Sequence, residues 1–522
     1  MTVTESRAPE SGAPGPHAPA SGAQSGSAAE SYGQILRSTA LIGASSLINV
    51  GFGIIRAKAM AILLGPAGVG LIGIFNSLSD LCFTAAGMGV QESGVRQIAS
   101  VRSSGDDTGI ARTVSVVRKL SLVLGLAGAV LLALAAQPLA DLTFGEPWRS
   151  GAVAMLGIAV GLRIATGGQI ALLQGMRRVA DLAKLGVLSA FFSAVIAIPL
   201  VYWLGEDGIV PSLVGMAAAT LLTSWWYARK VGIQTQRLRI WEIAEEASPL
   251  LKLGFAFMAS GLLTAGAAYL VRLIVLHNSG VEEAGFYQAA WVLGGIYASF
   301  ILQSMGVDFY PRLTAVADSN EECGRLVNEQ ARVSLLLAAP GVLATLTFAP
   351  LVMIVFYTAA FQPASDLLRW ICLGMMLRII AWPMGFIVLA RGAQKIFFWT
   401  EVAATTVNVG LAYILVRAIG LDGAGMAFFG LYVWHSVLIY VIVRKIAGFR
   451  WSGENIRLGL AMLALTAIVF AATEMLTTVP AVAIGTAATI GCGVYCLRSL
   501  LSILGPEHAL VRKLPRFLRS AL

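Results

Sequence analysis

Charge is scarce in this sequence. Asp, Glu, Lys and Arg make up 12% of its 522 residues against 57% hydrophobic ones, and the mean hydropathy is +0.78. That leaves too little polar surface for a soluble globular fold. Ten-residue segments of alternating polarity are missing too, which excludes a transmembrane β-barrel. The five cysteines, Cys82, Cys323, Cys372, Cys492 and Cys496, show no zinc-like pairing. Cys492 and Cys496 merely share one helix face, and all five read as small hydrophobes. There is no GxxxxGK[ST] sequence, no cluster of metal ligands and no long polar insertion for a soluble catalytic domain. ATP hydrolysis and polymer synthesis therefore have no visible site. Transport without a cofactor is the class that remains.

What the sequence holds instead is a succession of apolar runs of roughly 20 residues, the length that crosses a hydrocarbon core of about 30 Å as a helix. In lipid every backbone group must be satisfied within the protein, so these runs predict an all-α polytopic membrane protein. Six spans are expected near 38–61, 69–89, 119–137, 151–173, 185–203 and 209–228. Six more are expected near 253–276, 285–307, 333–357, 370–390, 397–416 and 424–443, then two near 458–474 and 480–497. The organisation expected is a disordered cytoplasmic tail (1–34), an N-lobe of six helices (35–232), a cytoplasmic linker (233–252) and a C-lobe of six (253–446). Two extra helices (457–500) and a basic cytoplasmic tail (501–522) complete it.

Lys and Arg test this scheme, because cytoplasmic loops carry the excess. With both termini inside, 29 of the 37 cations fall in cytoplasmic segments, and three, Arg149, Arg369 and Arg417, fall in external ones. The remaining five, Arg56, Lys58, Arg163, Arg272 and Arg378, lie inside predicted spans. The net charge of +9 thus follows membrane orientation, and nucleic acid is not an expected partner.

The halves resemble each other, which predicts a parallel duplicated bundle with a cleft between two lobes. LRIATGGQIALLQGMRR from Leu162 matches LRIIAWPMGFIVLARGAQK from Leu377, with Gly175 set opposite Gly392 by a two-residue slip. Gly208 matches Gly423, and Arg229-Lys230 matches Arg444-Lys445, each 215 residues on. IIRAKAMAILLGPAGVG aligns loosely with YLVRLIVLHNSGVEEAG, placing Arg56 opposite Arg272, as Arg163 stands opposite Arg378.

A charge near the bilayer centre costs roughly 2.5 to 3.5 kcal/mol, so such residues face a bundle interior or a watery cavity. At about 1.5 Å rise per residue, Arg163 and Arg378 are expected near the midplane, and Arg56 and Arg272 toward the external end. For Arg56, Lys58 and Arg272 the alternative is snorkelling to outer headgroups. For Arg163 and Arg378 it is a structural bond to a neighbouring helix. Asp80 is the one carboxylate well inside a span, read as a structural partner of Arg56 or Lys58, with a coupling site as the alternative. His435 reads as a packing residue. A cleft of unpaired guanidinium groups would suit a diphosphate, which Arg holds in bidentate geometry.

The first hairpin, STALIGASSLINVGFGIIRAKAMAILLGPAGVGLIGIFNSL, resembles the O-antigen flippase (Wzx-type) polysaccharide transporters, within the superfamily of multidrug, oligosaccharidyl-lipid and polysaccharide exporters. QGMRRVAD at 174–181, YQAAWVLGGIYASFILQSMGVDFYPRLT from Tyr287 and the Leu377-Arg378 helix support the resemblance over residues 35–446. It implies a V-shaped twelve-helix core that alternates between inward-open and outward-open states. It also implies transport of an undecaprenyl-diphosphate-linked oligosaccharide to the outer leaflet of the bacterial cytoplasmic membrane. Membrane lipids, a polysaccharide polymerase and other biosynthesis proteins are the implied partners. Lys58 and Arg378 match positions where the family tends to carry a cation, whereas Arg163 matches less clearly. The two helices beyond the twelfth depart from that pattern and bring the number to fourteen, as in the lipid II flippase, with a groove for the polyprenyl tail and simple packing or partner contact as the two readings of that pair. A lipid II flippase and a cation-coupled multidrug exporter therefore stand as alternatives.

Overall fold

A computed structural model describes residues 23–145, 147–233, 239–305 and 309–504. Residues 1–22, 234–238 and 505–522, which hold most of the expected tails and part of the expected linker, lie outside them. In chain order the helices are α1 (Ala23–Gly87), α2 (Val90–Ser103), α3 (Asp107–Leu134), α4 (Ala136–Phe144), α5 (Ser150–Gly175), α6 (Val179–Leu204) and α7 (Ile209–Arg229). They continue as α8 (Ile240–Ser279), α9 (Val281–Ser304), α10 (Tyr310–Ala315), α11 (Asn320–Thr347), α12 (Ala349–Phe356) and α13 (Ala364–Ala390). The last four are α14 (Gln394–Ile419), α15 (Asp422–Ala447), α16 (Gly453–Met475) and α17 (Thr478–Leu504).

Eleven stretches among the described residues are long and apolar enough to cross a membrane. One of them, Ile48–Gly87, breaks at Gly65, and another, Val179–Arg229, contains both α6 and α7. With α9 added, the crossings number about fourteen. Exposed aliphatic side chains on α3, among them Val123, Leu126, Leu131 and Leu134, form an outward apolar face. Exposed Trp203 at the end of α6 and Trp225 and Trp226 at the end of α7 suit the two headgroup levels.

The helices form two pseudo-symmetric lobes. In the first, α5 packs between α3 and α7 with α6 beside α7, and in the second, α13 packs between α11 and α15 with α14 beside α15. α16 and α17 lie on α11. The duplication is legible in the backbone at a constant spacing of 215 residues. Left-handed φ values recur at Gly65 (65°) and Gly280 (106°), at Gly205 (60°) and Gly420 (76°), and at Arg177 (52°) and Gly392 (65°). The turn after α5 closes with Arg178 N donating to Leu173 O at 2.9 Å, and the turn after α13 repeats this with Ala393 N and Val388 O at 3.1 Å.

Two sequence alignments change as a result. Gly392 corresponds to Arg177 rather than to Gly175, so no slip is needed. Arg272 is one residue out of step with Arg56, because Gly65 and Gly280 fix the first hairpins in register. One residue turns a side chain by about 100° around a helix.

α2 is an amphipathic helix that the apolar-run reading passed over. The expected linker also proves partly helical. From Ile240, α8 adds turns that bury Ala247 and Leu250 against Val90, Val116 and Val117. An ion pair of 2.9 Å between Arg112 Nε and Glu246 Oε1 accompanies them. A periodic apolar face inside a charged segment explains both differences. α1 likewise begins at Ala23, within the stretch read as a tail.

The lobes meet at both ends of the second half of α1. Toward Gly65, Gly70 and Gly285 face each other, and a Cβ on either would collide with the other helix's backbone. Toward the opposite end, Gly89 and Gly254 approach in the same way. Only glycine permits such close approaches, the first a helix crossing and the second a contact from the left-handed turn between α1 and α2.

Candidate functional site

The first lobe holds a half-open cavity of about 550 Å³. Its wall is built from helical stripes, mostly polar: Asn76, Ser79, Asp80 and the apolar Phe83 on α1, Arg163 and Thr166 on α5, Ser189 and Ser193 on α6, and the thioether of Met216 with Thr220 on α7. Each stripe follows the three- and four-residue spacing of one helix face. Polar residues in register inside apolar spans are the sequence signal of such a wall.

Arg56 and Arg163 both line this cavity. Arg163 Nη2 lies 2.7 Å from Asp80 Oδ1, its Nη1 donates to Ser79 Oγ at 2.7 Å, and its guanidinium lies 5.0 Å from the Phe83 ring centre. Asp80 is therefore the partner of Arg163, not of Arg56 or Lys58. The two side chains are 37% and 58% exposed, so the pair faces open space rather than packed protein.

Arg56 Nη1 donates to the Met216 sulfur at 3.3 Å, a weak acceptor. Arg56 also lines a second cavity of about 250 Å³ between the lobes, with Asn76, Gln288 and Tyr357. It thus stands in the wall common to both spaces.

The other three cations lie elsewhere. Lys58 Nζ donates to the Ile354 carbonyl of α12 at 2.6 Å, a contact between lobes. Arg272 is 9% exposed. Its Nε and Nη2 donate to Gln288 Oε1 at 3.1 and 3.0 Å, and its Nη1 donates to Ala268 O at 3.0 Å. The repeat makes room for this: Gly73 is the equivalent of Gln288, and a Cβ there would lie 2.8 Å from Gln288 Oε1. Arg378 lies in the second lobe over Trp382 at 4.5 Å and Tyr432 at 5.8 Å. Its Nε is buried without a hydrogen-bond partner, as is Nδ1 of the nearby His435. Glu401 lies within electrostatic range of Arg378, and no ion pair joins them.

The five intramembrane cations therefore do not line one cleft. Two share the first-lobe cavity, one braces the lobes, one is fully engaged within α8 and α9, and one is cradled by aromatic rings in the second lobe. A further cavity of about 620 Å³ between α11, α16 and α17 has Arg332, Glu454 and Arg457 above an apolar floor that includes Leu336, Leu458 and Met462.

Residues 59–366 match a protein family described as polysaccharide biosynthesis protein, a narrower range than the resemblance read from the sequence. A lipid III flippase of Escherichia coli (strain K12) is 25% identical over 398 residues, covering 75% of this chain and 93% of that protein. The fold is similar to that of the lipid II flippase MurJ in an inward closed conformation, with TM-score 0.64 and 12% identity over 89% of this chain and 99% of that one. It is also similar to an inward-facing multidrug resistance MATE family transporter of the MOP superfamily, with TM-score 0.62 and 19% identity over 77% and 94%. The two structural likenesses are likenesses of fold.

Proposed function

The chain belongs to the family of polysaccharide biosynthesis proteins, and from that membership we propose that it is a flippase for an undecaprenyl-diphosphate-linked oligosaccharide. It moves this substrate from the inner to the outer leaflet of the bacterial cytoplasmic membrane by alternating access, with both termini on the cytoplasmic side.

The observation that carries this reading is Arg56, an intramembrane cation that donates to the Met216 thioether, set in the wall of a polar cavity that a second guanidinium also lines. Such a cation has a use when an anion arrives. A diphosphate supplies two or more negative charges to forked N–H donors. The amides of Asn76 and Gln91 and the hydroxyls of Ser189, Ser193 and Thr220 offer the mixed donors and acceptors that sugars require. The polyprenyl tail stays in the bilayer. Arg378 serves as the anchor in the second lobe, while Lys58 and Arg272 hold the structure together. A negative-inside potential, worth about 2.3 kcal/mol per charge per 100 mV, favours outward movement of the anionic headgroup without ATP.

Two cations against one carboxylate make this cavity a poor host for cationic drugs, which argues against the multidrug alternative. The lipid III flippase relative favours an oligosaccharide cargo over lipid II, since the MurJ likeness concerns fold. Complementation tests the reading. Expression is expected to restore surface-polysaccharide export in a strain lacking its lipid III or O-antigen flippase, and not growth in a strain lacking its lipid II flippase. Rescue of the latter strain alone, or drug resistance without rescue of export, overturns it.

A further inference from the structure

The one carboxylate in the first-lobe cavity is placed against the needs of an anion site. Asp80 lowers the positive charge that would attract a diphosphate, and it does so by occupying Arg163 directly at 2.7 Å. A purely structural ion pair would be expected in packed surroundings, yet both partners are open to the cavity, at 37% and 58% exposure. Exposed pairs of this kind are worth about 0 to 1 kcal/mol, so the bond is easily exchanged. The guanidinium is independently steadied by Ser79 and by the Phe83 ring, so it does not need Asp80 to keep its place.

We propose that Asp80 is a built-in counter-anion, which holds Arg163 while the cavity is empty, yields it to the substrate's diphosphate, and reclaims it to expel the substrate. The proposal rests on the flippase reading and adds the means of release. A transporter must bind weakly enough to let go, and two unopposed guanidinium groups would hold a diphosphate too long. Exchange of one carboxylate for the incoming phosphate keeps each end of the cycle close in free energy. In the second lobe no such carboxylate is bonded to Arg378 among the described residues, so the first lobe alone carries the exchange.

Binding of farnesyl diphosphate to the full chain in lipid nanodiscs tests this, read by displacement of a fluorescent analogue. Asp80→Asn keeps the shape and removes the charge, and is expected to bind about tenfold tighter while glycan export in cells falls. Asp80→Ser, smaller and also neutral, is expected to bind tighter as well, so the result does not depend on the folding of one variant. If the wild type binds and both neutral variants bind no tighter, Asp80 is structural and this inference fails alone. If the wild type does not bind farnesyl diphosphate, this inference and the flippase reading fall together.

Discussion

Gly70 and Gly285, equivalent positions of the two repeats, lie backbone against backbone where α1 crosses α9. A Cβ on Gly70 would sit 2.8 Å from the Gly285 amide nitrogen, and one on Gly285 would sit 3.1 Å from the Gly70 nitrogen. The atoms in the way are main chain, so neither side can yield by changing a rotamer. Gly285→Val is expected to cost about 1 to 3 kcal/mol in overpacking and to push the lobes apart at this end. A lower melting temperature and faster maleimide labelling of a cysteine placed at Val292, in the inter-lobe cavity, would show it. Unchanged labelling would mean the crossing is not a contact between moving parts.

Lys58 braces the same end by donating to Ile354 O at 2.6 Å. A hydrogen bond from a charged donor is worth about 1.5 to 3 kcal/mol. Lys58→Met is expected to shift the population of lobe-separated molecules by at least about tenfold. Distances between spin labels on the two lobes, measured with and without the substitution, report the shift. An unaltered distribution would assign Lys58 to snorkelling.

Arg272 depends on Gln288, which accepts two of its N–H groups in a site 9% exposed. Gln288→Leu leaves a buried charge short of an acceptor and is expected to destabilise the protein by about 2 to 3 kcal/mol. Heating in detergent with circular dichroism checks this. Binding of farnesyl diphosphate by the fraction that remains folded is expected to change little, because Arg272 does not line the first-lobe cavity.

The spans and the duplication were legible because lipid imposes one length on every crossing, and because Gly208 and Gly423, like Arg229-Lys230 and Arg444-Lys445, sit 215 residues apart. The pairing of charges was not. Which side chains meet depends on helix rotation, and the loose alignment that set Arg56 against Arg272 was off by one residue, enough to turn one toward a cavity and the other toward Gln288. Asp80 meets Arg163 rather than Arg56 or Lys58 for the same reason. Nearness in sequence suggested Arg56 and Lys58 on the adjoining helix, whereas the face that carries Asn76, Ser79 and Asp80 turns toward α5 and Arg163.

Arg56 is expected to behave oppositely to Gln288. Arg56→Ala removes an intramembrane charge that costs roughly 2.5 to 3.5 kcal/mol and loses only a thioether contact, so the melting temperature is expected to hold or rise. Export of glycan is expected to fall by about tenfold to a hundredfold, the loss of a charge-assisted contact of about 1.5 to 3 kcal/mol with the diphosphate. Arg56→Lys keeps the charge without the fork and is expected to lie between. Full export by Arg56→Ala would remove the main support for an anion cavity.

The turn after α5 carries an experiment that nature has half performed. Arg177 and Gly392 hold the same left-handed turn in the two repeats, at φ 52° and 65°. A side chain in that region costs about 1 to 2 kcal/mol, a cost Gly392 avoids and Arg177 bears. Arg177→Gly is therefore expected to stabilise the protein by about 1 kcal/mol, and Gly392→Ala to destabilise it by a similar amount, since a Cβ at Gly392 meets nothing within 4 Å and only backbone strain is added. Melting temperatures of the two variants check the pair. A fall for Arg177→Gly would mean that its side chain earns the strain through a contact of its own, such as with lipid phosphate at the headgroup level. That outcome would separate the two repeats in role at a place where their backbones agree.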